Sequence, residues 1–342
     1  MNTVADNLSL PGAVTLLSQS LVPSIQELLT TDPDEFVARF PDIAAVNLAC
    51  ARGLPNCDES EFLKHMSLLD EMARAVAVET ERFRPNFRPN PSCPTEASYC
   101  IYMLAKVCRD HFKLRHFMLP ERGTGFTGIL YDEVSKEQWS DSRNWFIHGL
   151  LGSGRIGSCT SLPVLYAAVG RRLGYPIKLV LALCHAFIRW DDGIERINLE
   201  ATGPDYINSH PDGYYIDQPR PWTHHEKTCG YYLRSITPLE ELAMMLSCRA
   251  VVLKYSGNLL DAGFAISKAS VLAPNDPNYP KLGGQIELEI ASLPLSRRPV
   301  PCFNQTLNIG FDGKRFFEPE QSLRPRPQMP SLSQVFSCSP AL

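Results

Sequence analysis

The chain has 342 residues, 44% of them hydrophobic and 20% charged, enough for one large core with appended helical parts or for two domains. Its formal charge of −4 and the absence of long basic runs leave no nucleic-acid footprint and no polybasic membrane anchor. The apolar stretch Pro11 to Leu17 lacks the flanks of a signal peptide, and no run of about 18 uncharged apolar residues predicts a spanning helix, so a soluble, cytoplasmic protein is expected.

Eleven cysteines lie between Cys50 and Cys338 without a CxxC pair or zinc-finger spacing, the pattern of a reduced compartment. Most of them, Cys100 and Cys108 among them, are expected to be small core residues. No cofactor is expected.

Taken from the N-terminus, apolar positions recur near the helical period over Val14 to Leu29, Ile43 to Arg52, Glu61 to Phe83 and Glu96 to Phe117. The Pro- and Asn-rich stretch Arg84 to Pro94 reads as a connector. From Gly123 to Arg155 glycine increases and periodicity fades, which predicts loops leading into a site, interrupted by the apolar run Trp145 to Leu151.

The next stretch carries the chemistry. Leu162, Leu165, Tyr166, Val169 and Leu173 make one apolar stripe, so a buried helix is predicted, ending where Gly174 takes a left-handed position and Pro176 forbids continuation. Pro163 would clash four residues back, so the regular ladder starts near Thr160 or Ser161. Cys159 therefore sits at the mouth of the helix, where unsatisfied N–H groups and the positive dipole end favour a thiolate and can bind an oxyanion. Gly154 and Gly157 would let a substrate backbone approach.

Ile177 to Leu183 reads as a buried strand, followed by His185 to Trp190, the turn signal Asp192-Gly193, and Ile194 to Leu199. A two-residue loop would set Asp191 against Ile194 and His185 directly against Glu200. Alternation then places Ala186, Ile188, Trp190, Ile197 and Leu199 on an apolar face, and His185, Phe187, Arg189, Arg196, Asn198 and Glu200 on the other. A helix-mouth cysteine, a strand histidine and a facing carboxylate are the parts of a nucleophile, its base and an orienting acid. Asn198 is the alternative orienter. Arg189 and Arg196 would face one another, which requires an acid between them, either a local carboxylate or an acidic group of a substrate.

Pro238 to Tyr255 and Leu259 to Leu272 form a helical pair broken at Ser256, Gly257 and Asn258, with small residues Ala262, Ala265 and Ala269 allowing close packing. The pair resembles one tetratricopeptide unit, and without further copies it should dock on the main body. Residues from Arg297 to the end read as a disordered tail. His224, His225 and Cys229 suggest a metal, but adjacent histidines cannot easily converge on one ion, so no metal site is expected and a surface loop is.

The runs Gly157-Ser158-Cys159-Thr160-Ser161-Leu162-Pro163, His185-Ala186-Phe187 and Asn198-Leu199-Glu200-Ala201-Thr202 resemble the transglutaminase-like superfamily, and within it the chain is similar to the bacterial SirB-type branch, over about Phe36 to Pro274. The resemblance implies an α+β fold. A helical N-terminal region over 1–117 would precede a papain/transglutaminase-like core over 118–236, with its Cys-bearing helix packed on an antiparallel sheet. A tetratricopeptide-like pair over 237–280 and a tail over 297–342 would follow. It implies Cys159 as nucleophile, His185 as general base and Glu200 as orienting acid, where many members carry Asp. Acyl transfer to amines and amide or peptide hydrolysis are the implied chemistries, on a peptide, protein or small amide. A silent regulatory module that binds protein partners through the C-terminal pair is the alternative. Neither nucleic acid nor membrane is expected as a partner.

Overall fold

A computed structural model describes residues 22–116, 135–202, 209–216 and 221–294. The first helices are short and begin at side-chain caps. In α1 (Ile25–Thr30) the Ser24 hydroxyl accepts from the Glu27 N–H while the Glu27 carboxylate accepts from the Ser24 N–H, at 3.1 and 2.8 Å. Asp32 caps α2 (Pro33–Arg39) and Asp42 caps α3 (Ile43–Ala51). Every residue of α3 is buried, so this helix is core on all sides rather than amphipathic.

The long α4 (Phe62–Phe83) buries Phe62, Met66, Leu69, Ala73, Val76 and Thr80 at helical spacing. It packs on α5 (Glu96–Asp110), where Cys100 and Cys108 are both buried. The periodic pattern predicted α5 as far as Phe117. It stops at Asp110 because Lys113 turns left-handed, at φ 57°, and the chain continues as β1 (Arg115–His116). The predicted helix over Val14 to Leu29 meets the described residues only at its end, where α1 lies; its earlier part, like the tail over 297–342, lies outside them.

A short helix, α6 (Lys136–Ser140), stands where loops were expected, and the apolar run Trp145 to Leu151 carries another, α7 (Ile147–Leu151), joined to it through a 3₁₀ turn at 142–144. Asn47 of α3 accepts from the Ile147 N–H at 2.9 Å, which fixes the start of α7 against the core. Then β2 (Ile156–Gly157) pairs in parallel with β1 and leads into α8 (Ser161–Arg172). Gly174 closes α8 at φ +73°, as the sequence predicted.

The strands β3 (Ile177–Ala182), β4 (His185–Asp191) and β5 (Arg196–Leu199) form an antiparallel sheet in that order, which with the helices makes the fold α+β. Gly170 of α8 approaches Ile177 so closely that a Cβ there would stand 2.8 Å from Ile177 Cγ1, so α8 packs on the face that carries Ile177, Ile188 and Leu199. Two further short helices follow, α9 (Asp212–Ile216) and α10 (His224–Thr228). Beyond them Leu233 and Ile236 donate backbone N–H groups to Leu181 and Leu179, lining the free edge of β3.

The predicted C-terminal pair is present as α11 (Pro238–Tyr255) and α12 (Leu259–Leu272), with Ala262, Ala265 and Ala269 buried. A helix not anticipated from the pattern, α13 (Asn278–Ser292), packs on α12. α11 lies against α3 and α6, and Arg249 donates to the carbonyls of Cys50 and Arg52, at 2.8 and 2.7 Å, capping the end of α3. Deeper in, fully buried Arg172 of α8 bonds Asp42 and Asp70, each at 2.8 Å, and so joins α8 to α3 and α4. No helix among the described residues is long and apolar enough to cross a membrane.

Candidate active site

The backbone before the cysteine is held from both sides. β1 pairs with β2, and the Ser158 N–H donates to Ser161 Oγ at 2.9 Å while the Ser158 carbonyl accepts from the Leu162 N–H at 3.0 Å. Ser158 Oγ shares a hydrogen bond with Thr160 Oγ1 at 2.7 Å. Cys159 is thus presented one residue before the N-cap of α8, as the position of Pro163 predicted. It is 8% exposed.

Gly157 has a different use from the one expected. A Cβ there would collide with Ser161 Oγ and stand 2.7 Å from Leu150 Cγ, so the missing side chain serves internal packing around Cys159. Gly154 faces open space. From α11, the Cys248 thiol is buried beside Thr160 and Cys159, and burial pushes it up to about 12, which leaves it inert at neutral pH.

His185 opens β4, directly after the tight β3–β4 hairpin in which Cys184 is left-handed, at φ 55°. His185 Nε2 meets Glu200 Oε2 at 2.6 Å. Cys159 is the other side chain that acts on His185, raising the imidazole by its proximity. With Nε2 taken by the carboxylate, Nδ1 is the nitrogen left to the thiol. Glu200 is in turn fixed from behind: its Oε1 accepts from the N–H and the hydroxyl of Thr202, at 3.0 and 2.5 Å.

Burial opposes charge on both partners, yet the pair prevails. The imidazole is driven well above its ordinary range, against its own desolvation, by the Glu200 carboxylate and by Cys159. Glu200 is likewise held below the usual carboxylate range, against desolvation, by the imidazolium and by Thr202.

The register differs from the predicted one. Asp191 pairs with Arg196 and Arg189 with Asn198, so the β4–β5 loop has four residues, 192–195, rather than two. Asp192 builds it, its carboxylate accepting from the N–H groups of Ile194 and Glu195 at 2.8 and 2.7 Å. Two extra residues preserve the alternation, so His185 and Glu200 still share a face, diagonally rather than opposite one another. This shift also removes the predicted clash of arginines. Arg196 is 70% exposed and pairs with Asp191 at 3.3 Å, while Arg189 is buried and bonds Asn198 and Asp212, which withdraws it from an acidic substrate.

Asn198 does not orient His185. It accepts from Arg189 Nε at 2.7 Å and donates to the His210 carbonyl and to Asp212, each at 2.8 Å. Two residues at the site escaped the sequence reading. Thr202 was legible in principle, because a hydroxyl two residues after a carboxylate can close a local turn on it. Tyr215 had no local signal: it reaches the site from α9, and its ring stacks on Phe187 at 4.2 Å. His224 and His225 start α10 rather than lying in a loop, and no group of three or more His, Cys, Asp or Glu among the described residues could hold a metal ion.

No family model and no solved structure matches the chain. Over 171 residues it is 25% identical to F-box only protein 21 of Mus musculus, a stretch that covers 48% of this chain and 24% of the mouse protein. F-box only protein 21 of Homo sapiens and of Pongo abelii match at the same 25% identity. The chain spans about a quarter of the length of these curated relatives.

Proposed function

We propose that the chain is a transglutaminase-like cysteine enzyme that cleaves or transfers an acyl group from an amide or peptide bond through a thioester. The observation that carries this reading is His185, bonded through Nε2 to Glu200 at 2.6 Å, with Cys159 as the other neighbour that raises the imidazole. In that arrangement the Cys159 proton rests on the imidazole, and the thiolate attacks the amide carbonyl carbon. The oxygen's growing negative charge is met by the positive end of α8, a helix of 12 residues. His185 then gives its proton to the departing amine as the C–N bond breaks, leaving the thioester on Cys159. Water or a second amine attacks the thioester carbonyl, His185 takes the proton from the attacking atom, and the C–S bond breaks to release the acid or new amide and return Cys159 as thiolate beside the imidazolium. Glu200 holds the tautomer throughout.

The transglutaminase-like core would span 118–236, with the C-terminal pair over 237–280 offering a face to protein partners. A reduced setting such as the cytoplasm suits buried thiols such as Cys50, Cys100, Cys108 and Cys248.

The burial of Cys159, 8% exposed, favours a second reading in which the site is silent and the chain serves as a regulatory or protein-binding module. Alkylation of Cys159 by iodoacetamide as a function of pH, read by peptide mass spectrometry, separates the two. The enzyme reading expects modification at pH 6 that His185→Ala abolishes. If Cys159 titrates like the other thiols in both proteins, the silent module stands.

A further inference from the structure

The face of β4 that carries His185 continues through Phe187 to Arg189, and α9 lies across it. Tyr215 is 2% exposed, and its ring is nearly parallel to Phe187, at 6°, with its centroid 6.1 Å from that of His185. Its hydroxyl stands 3.5 Å from Glu200 Oε2, the oxygen that receives His185 Nε2. At that length the hydroxyl adds little, and the buried ring, packed on Phe187 beside the pair, is the larger contribution.

A helix of five residues does not hold such a ring in place by itself. Its first residue, Asp212, receives Arg189 Nη2 at 2.5 Å and Asn198 Nδ2 at 2.8 Å. Arg189 is buried and also donates to Asn198 and to the Leu233 carbonyl, at 3.1 Å, and among the described residues Asp212 is the carboxylate that meets its charge. Asn198 also accepts nothing from the site; it anchors His210, just before α9. The ion pair therefore fixes where α9 sits, and α9 fixes where Tyr215 sits.

We infer that Tyr215 is a positioning residue for the His185–Glu200 pair, held over it by an Asp212 latch that Arg189 and Asn198 close. The assignment rests on the catalytic reading of that pair only for its purpose, and its test is independent of turnover.

In the full chain labelled with nitrogen-15, a short His185–Glu200 bond shielded from water gives a far-downfield Nε2 proton, identified by its loss in His185→Ala. Tyr215→Phe keeps the ring and is expected to retain the signal. Tyr215→Leu and Asp212→Asn are expected to speed its exchange with water by about tenfold or more, and Asp212→Glu to restore it. Asp212 is half-exposed, so its variants remain informative if Tyr215→Leu does not fold. Wild-type exchange rates in folded Asp212→Asn would overturn the latch, as would a wild type without the protected proton. A protected, latch-dependent proton beside a Cys159 that titrates like an ordinary thiol would leave the positioning role standing while the enzyme reading fell.

Discussion

Glu200 shows how one carboxylate can set the state of a site. Among the described residues its hydrogen-bonding contacts come from His185, Tyr215 and twice from Thr202, so the extra methylene relative to Asp is absorbed by a local turn onto Thr202. Glu200→Gln keeps the shape and removes the charge. It should lower the thiolate fraction of Cys159 at pH 6 by about tenfold for each pH unit through which the His185 titration falls, which the alkylation profile measures. The same pair links stability to pH with opposite signs on its two sides. Glu200 is depressed, so its contribution is present above the ordinary value of 4.5 and disappears as pH falls through its lowered value. His185 is raised, so its contribution is present below 6.5 and disappears as pH rises through its higher value. The difference in melting temperature between wild type and Glu200→Gln should therefore be largest between pH 4.5 and 6.5 and narrow on both sides; a difference that keeps growing above pH 9 would count against the ion pair.

Elements place the two halves of the site by different means. The cysteine depends on a helix start, and Pro163 and the apolar stripe of α8 determine that start locally, while Gly174 sets where the helix ends. The backbone at Gly157 must also lie against Ser161 and Leu150 for the turn to hold. Gly157→Ala should cost about 1–3 kcal/mol by overpacking, measured by chemical denaturation, and should broaden the Cys159 alkylation profile. The histidine depends on a sheet register. There the turn signal at Asp192-Gly193 was legible but its length was not, because the Asp192 carboxylate recruits the N–H groups of Ile194 and Glu195 and lengthens the loop to four residues. Faces survived that error and pairings did not, since side chains alternate with period two and the register moved by an even number.

At the scale of the molecule, the site stands on contacts between distant parts of the chain. Arg172 at the end of α8 is held by Asp42 and Asp70, more than 100 residues earlier, with all three groups buried. Arg172→Met leaves two buried carboxylates without a counter-charge and should cost about 3–5 kcal/mol, read as a shift in denaturant midpoint, whereas replacing all three by apolar residues of similar volume should recover most of it. α11 closes the other side by bringing Cys248 against Thr160 and Arg249 onto the end of α3.

The sequence by itself determined the amphipathic helices, the helix mouth at Cys159, the strand that bears His185 and the face shared with Glu200, because each follows from local steric rules and short periodicities. Only the tertiary structure decided that Arg189 is an internal counter-ion and not a substrate contact, that Asn198 serves α9 and not His185, and that Tyr215 packs beside the pair. Those outcomes depend on which segments the burial of charge and apolar surface brings together in space, and neither spacing nor pattern along the chain encodes that neighbourhood.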